Sequence, residues 1–471
     1  MMKIAQIVPL IALCALSGCV PNKAYRVHYD KHGQATVDPV LSEEIKGRQF
    51  DPPTDSREFL DTPWPYQLAF IEFDDRGEMF EREQLKQVLK VIQELKNKAA
   101  QQTQDARKEA QSKGVACPEG DYPDLQPVVA VFVHGWKNNA SDSSGNVWGF
   151  RQLLGGFAFQ FSQNICPDQR PKQAPILGIY IGWRGAVLRP PVLKELTFYD
   201  RRDKSQNLPS AHMVEALIRI MRMAKGDDFR GDTISILIGH SFGGAVLETA
   251  LTQTLENRIV EGPPGGTVHW PADLIVLVNE AQQATQSQLI ESLMENVDAR
   301  PPCTCGDSKE LPPPQIGRIV SITSTGDAAT GVAFPLAQGL SRPFNSLRTY
   351  PKSNRLGLRR QTPMYLKTTA HLTEFQSHVF GESSDPSVHE ALNLCKPAFE
   401  IDMQSVLGPK KHFFIVERPG APNRTPYWVM PMPPSIVPDH STIFTPVFRN
   451  VLVSLLSGRI LGSDALRSQK R

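Results

Sequence analysis

Residues 233–250 read TISILIGHSFGGAVLETA, and this stretch decides the fold. Thr233 to Ile238 is an apolar, β-branched run, the composition of a strand buried on both faces in the middle of a parallel sheet. The run stops at Gly239-His240-Ser241-Phe242-Gly243, a G-x-S-x-G turn, and the small residues from Gly244 onward predict a helix. A turn this sharp strains the serine and tolerates only glycine where the backbone crowds around it. It also sets the Ser241 hydroxyl at a helix N-terminus, where developing negative charge is favoured. The plainer reading, a serine that merely caps a helix after a Gly-rich turn, does not account for the buried strand in front of it.

Upstream, Tyr66–Phe73 alternates as a first strand, closed by Asp74-Asp75-Arg76-Gly77. Glu81–Lys113 is a long helix with an apolar stripe at Leu85, Val88, Leu89, Ile92 and Leu95; its polar second half is expected to project into solvent. Val128–Val133 is a buried strand running into His134-Gly135-Trp136. A helix over Val147–Gln163, a strand over Ile176–Trp183 and an amphipathic helix over Ala211–Ala224 follow. Arg184 stands just beyond a strand, at the sheet edge where open α/β folds bind ligands, and is either a carboxylate or phosphate contact or a solvated side chain.

Downstream come a strand over Leu274–Asn279, a helix over Gln282–Val297 and a strand over Ile319–Thr323 that ends in Ser324-Thr325-Gly326-Asp327. Residues 328–411 lack sustained periodicity and read as a long insertion before the last strand, a lid or substrate-facing excursion. His412–Glu417 is taken as that last strand, and Val447–Leu456 as a closing helix. Alternation of strands and helices predicts an α/β fold, with a mostly parallel central sheet and helices on both faces.

The strand, G-x-S-x-G turn and helix, with an HG turn upstream, resemble the nucleophile elbow and oxyanion turn of the α/β-hydrolase superfamily over about residues 66–457. The resemblance implies a hydrolase domain over 66–471 and a triad in the order Ser, acid, His. Ser241 is then the nucleophile and His440, in the triplet Asp439-His440-Ser441 after the last strand, the base. The acid is Asp327 or, directly after the preceding strand, Glu280; both also fit turn-capping roles. The backbone N–H groups of Phe242 and Trp136 are implied as the oxyanion donors. Such an array needs neither cofactor nor metal, and Cys303-Thr304-Cys305, with no nearby histidines or second Cys pair, reads as a loop staple rather than a zinc site.

At the N-terminus, Lys3, the apolar run Ile4–Leu16 and Leu16-Ser17-Gly18-Cys19 make an export signal that resembles a bacterial lipobox. The resemblance implies cleavage after residue 18, lipid on Cys19, and, with Val20 following, an outer-membrane lipoprotein; the run is shorter than the roughly 20 residues of a membrane span. Residues 19–65 read as a polar tether. Without Cys14 and Cys19 five cysteines remain, so an exported chain has room for two disulfides and a spare thiol, in no fixed pairing. The formal charge of +2 gives no bulk attraction to nucleic acid, leaving a small-molecule or lipid ester substrate and the membrane as expected partners. The function expected is a serine esterase or lipase-like hydrolase. A peptidase or acyltransferase with the same triad, or a non-catalytic envelope lipoprotein on the same scaffold, stays open.

Overall fold

The computed structural model describes residues 23–46, 63–74, 76–117, 124–135, 138–163, 165–167, 172–183, 211–261, 270–294, 317–335, 364, 366–393, 398–401, 413–418 and 426–468. The strands are β1 (Val27–Tyr29), β2 (Ala35–Val37), β3 (Leu41–Lys46), β4 (Pro63–Phe73), β5 (Val128–Val133), β6 (Ser162–Gln163), β7 (Lys172–Gln173) and β8 (Ile176–Trp183). They continue as β9 (Ile234–His240), β10 (Leu274–Val278), β11 (Ile319–Ser324), β12 (His378–Glu382), β13 (Ala398–Ile401), β14 (Phe413–Glu417) and β15 (Tyr427–Met432). Seven α-helices are described: α1 (Arg82–Ser112), α2 (Gly145–Gln160), α3 (Ala211–Lys225), α4 (Phe242–Glu261), α5 (Ala284–Met294), α6 (Pro386–Asn393) and α7 (Pro446–Ser468).

Eight strands form one sheet in the order β15-β11-β10-β9-β5-β8-β4-β3. All neighbours are parallel except the edge pair β3 and β4. The β5, β8, β9 and β10 runs are buried along their whole length, as a parallel sheet covered on both faces requires. Alternate residues serve opposite layers. Phe132, Ile236 and Val276 pack with α2 and α7, whereas Val131, Leu237 and Ile275 pack with α3, α4 and the first half of α1. Each buried Val, Leu or Ile contributes roughly 1.5–3 kcal/mol, so this two-sided core dominates the stability.

The helix after β5 lies on one face and the helix after β9 on the other. The strands that follow are therefore added in opposite directions from this parallel pair, the switch point at whose C-terminal ends open α/β sheets bind ligands. Ser241, Asp327 and His440 all lie at those strand ends.

Four sequence expectations change. The second half of α1 is packed rather than projecting: Ala99, Thr103, Ala106 and Ala110 are buried, a stripe of small residues that a hydropathy reading passes over. Part of the expected tether belongs to the fold, because β3 (LSEEIK) pairs with β4 and its polar outer side is what an exposed edge strand needs. The segment 328–411 contains β12, α6 and β13, which join β14 in a separate antiparallel sheet in the order β12-β14-β13. β14 is therefore not the last strand of the main sheet; that is β15, whose Pro431 disguises it and is tolerated because β15 lies at the edge. One disulfide, Cys117–Cys166, ties the segment after α1 to the end of the α2 connection. Cys303, Cys305 and Cys395 lie outside the described residues, as do Cys19, Trp136, Arg184 and His412.

Candidate active site

Ser241 follows β9 with φ of 56°, a left-handed conformation that costs a non-glycine residue of order 1–3 kcal/mol. Its N–H donates to Val278 O of β10 (2.9 Å), and its carbonyl accepts the N–H groups of Gly244 and Ala281, so the turn is fixed from both sides. Two glycines make it possible. A Cβ on Gly243 would lie 2.2 Å from Val133 O, and one on Gly135 would lie 2.6 Å from Ser241 Cβ. The elbow helix and the loop after β5 therefore press against each other with the serine between them.

The Ser241 hydroxyl donates to His440 Nε2 at 2.7 Å, and His440 Nδ1–H donates to Asp327 Oδ2 at 2.8 Å. The neutral His440 tautomer that satisfies both bonds carries its proton on Nδ1. Asp327 Oδ1 also accepts the backbone N–H groups of Ala329 and Thr330, and Oδ2 accepts the Thr330 hydroxyl. Burial pushes the Asp327 carboxyl up, but the His440 and Thr330 hydrogen bonds outweigh it and hold the group below its ordinary value. Thr330 Oγ1 in turn meets His371 Nε2 at 2.9 Å, so His371 braces the acid from behind.

Glu280 is placed elsewhere. Its buried carboxyl lies against Glu248 of α4, beneath the elbow helix, and Tyr427 OH donates to Glu248 Oε1. Desolvation first, and then mutual repulsion, raise Glu280 well above the carboxylate range; desolvation raises Glu248 to about 7. The pair shares protons at neutral pH and has no bond to His440. Phe242 opens α4 directly after Ser241, which sets its backbone N–H in the turn beside the hydroxyl. His134 is buried and structural: it donates through Nδ1 to Gly135 O, accepts the Trp183 N–H at Nε2 and stacks on the Trp183 ring. Burial lowers its pKa to about 4, so it stays neutral while pinning the loop after β5.

Three further residues, not singled out from sequence, hold the loop that carries His440. Ser324 Oγ donates to Val437 O, Asn279 Nδ2 donates to Asp439 O and His440 O, and His240 Nε2–H donates to His440 O at 2.7 Å. They stand at the ends of β11, β10 and β9, so three strand ends grip one loop. Asn279 reaches its bonds from φ of 47°, a second strained residue at the same edge. Asp439 shapes the same loop by accepting the N–H groups of Ser441 and Thr442. The sequence signal was positional: polar residues directly following apolar strands on the ligand edge.

His240 is fully buried, and burial, followed by the neighbouring His440 charge, lowers its pKa to about 3. It therefore stays neutral near pH 7 while it holds the His440 carbonyl. His240→Ala is expected to lower kcat about tenfold with KM little changed, because displacement of a catalytic group by a fraction of an ångström is costly. His240→Gln, which retains an amide donor, should restore most of the loss. Equal loss in both variants, or loss confined to KM, would remove the positioning role.

No protein-family model matches the chain, and no curated protein matches it. Among solved structures, an arginase-like protein of T. brucei, a triple mutant bound with Mn2+, aligns at 12% identity over 49% of this chain and 76% of that one, with a TM-score of 0.16. A likeness that low bears on neither fold nor function.

Proposed function

We propose that the protein is a serine hydrolase of the α/β-hydrolase superfamily that cleaves carboxylic esters, held at the bacterial cell envelope by lipid on Cys19. The observation that carries this reading is the unbroken chain Ser241 Oγ to His440 Nε2 (2.7 Å) and His440 Nδ1 to Asp327 Oδ2 (2.8 Å), on a strained elbow at the C-terminal edge of the sheet. In this reading Ser241 Oγ attacks the ester carbonyl while its proton passes to His440 Nε2. The Asp327 carboxylate stabilises the imidazolium that forms, and the N–H groups of Phe242 and Trp136 receive the oxyanion. Collapse breaks the ester C–O bond, with the proton moving from His440 to the departing alkoxide. Water then enters by the same route and releases the acid from Ser241.

A fluorophosphonate probe tests the assembly of the array directly. The folded protein is expected to gain one covalent phosphonate, mapped by mass spectrometry to the peptide holding Ser241, and a His440→Ala variant to react far more slowly. An unlabelled wild-type protein would leave the scaffold reading, a non-catalytic lipoprotein, in its place.

A further inference from the structure

The N-terminal segment is fixed to the sheet edge that carries Ser241. The backbone N–H groups of Tyr25 and Arg26 both donate to the Glu72 carboxylate, at 2.8 and 2.7 Å. The buried Arg26 side chain donates to Ala140 O, pairs with Asp142 and Asp38, and lies over the Phe70 ring. Glu72 is next to last in β4 and pairs with Gly182 near the end of β8; both strands are parallel to β5 and β9. It therefore stands at the C-terminal edge, three strand spacings from Ser241, or about 14 Å along the sheet.

Ala24 is already buried, which leaves four chain steps between Lys23 and Cys19. Four residues reach at most about 14 Å in any conformation. The opposite edge of the sheet lies beyond that reach, since the eleven residues of β4 alone rise about 36 Å. Two exposed aromatic side chains stand on elements at this edge: Tyr29 (53% exposed), three residues beyond Arg26 and donating to Phe80 O just past β4, and Trp148 (58% exposed), in the first turn of α2, the helix that follows β5. Tyr and Trp are the side chains that favour a bilayer interface.

We propose that the anchored protein docks the Ser241 edge of its sheet against the bilayer and takes acyl esters from that membrane as substrates. This rests on the hydrolase and lipid-anchor reading above. The short connection replaces the long tether expected from sequence: the domain cannot swing away, and its Ser241 edge faces lipid.

The test uses the full-length lipidated protein in phosphatidylcholine vesicles with brominated acyl chains. A second form carries forty Gly/Ser residues inserted between Asn22 and Lys23. Bromines are expected to quench a tryptophan signal that disappears in Trp148→Phe, and the insertion is expected to abolish that quenching. Hydrolysis of long-chain diacylglycerol in the vesicles should fall on the order of tenfold with the insertion, as effective concentration falls with linker length. Hydrolysis of soluble p-nitrophenyl butyrate should be the same in both forms. Absent quenching, quenching indifferent to the insertion, or a mature protein without lipid on Cys19 each overturns the docking. If the soluble ester is not turned over, the hydrolase reading and the substrate half of the proposal fall, while quenching still decides the orientation.

Discussion

Ser241→Ala is expected to lower kcat for ester hydrolysis by about 10⁴-fold or more while leaving the protein folded. The side chain is small, and truncation removes one hydrogen bond, to His440 Nε2, without opening a cavity in either apolar layer. Alanine must adopt the same left-handed backbone as the serine, so the strain at φ of 56° is unchanged. The bonds that hold the turn, from Ser241 N–H to Val278 O and from Gly244 and Ala281 to the Ser241 carbonyl, are main-chain and survive the substitution. Circular dichroism and the melting temperature should therefore match the wild type. What is lost is the attacking oxygen; what remains is the donor set and the bound geometry, which together leave a weak residual rate. Retention of more than about one per cent of wild-type kcat would place the attacking group elsewhere.

The elbow was legible because three signals coincide in eighteen residues: a run buried on both faces, a turn with glycines where backbone meets backbone, and a helix of small residues. The strands Val128–Val133 and Ile176–Trp183 were legible to the residue for the same reason, since full burial leaves a continuous apolar run. Edge elements hid because they carry no such run. β3 is mostly polar and β15 contains Pro431, so neither reads as a strand until its partner is known. The grip on His440 hid for a different reason. His240, Asn279 and Ser324 are 84 residues apart from first to last, and only the parallel register of β9, β10 and β11 brings their polar groups to one loop. Residues 23–46 were misread as a tether because polar composition does not reveal that Arg26 and the N–H groups beside it have buried partners.

Asp327→Asn should cost about 10⁴-fold in kcat, and Glu280→Gln should leave kcat close to that of the wild type. An asparagine at 327 can present an amide N–H toward His440 Nδ1, which favours the tautomer protonated on Nε2 and removes the lone pair that takes the Ser241 proton. Glu280 has no bond to His440; it lies against Glu248, and burial followed by the charge of Glu248 raises its carboxyl well above the ordinary range. The two substitutions should also differ in the sign of their effect on stability at pH 8, and only that of Glu280→Gln should change between pH 4.5 and pH 8. A carboxyl whose folded pKa is raised stabilises the fold below its unfolded value near 4.5 and loses that contribution as pH climbs through the folded value, about 7 for Glu248. Glu280→Gln removes one of the two repelling acids, so its melting temperature should exceed the wild-type value at pH 8 and approach it at pH 4.5. Asp327 is held below 3.8, so its contribution is present above that pH and fades on acidification; Asp327→Asn should therefore lower the melting temperature at pH 8 rather than raise it. Thermal scans of both variants at the two pH values, beside kcat for a soluble ester, separate the orienting carboxylate from the buried pair. An inactive Glu280→Gln with an active Asp327→Asn would reverse the assignment of the acid.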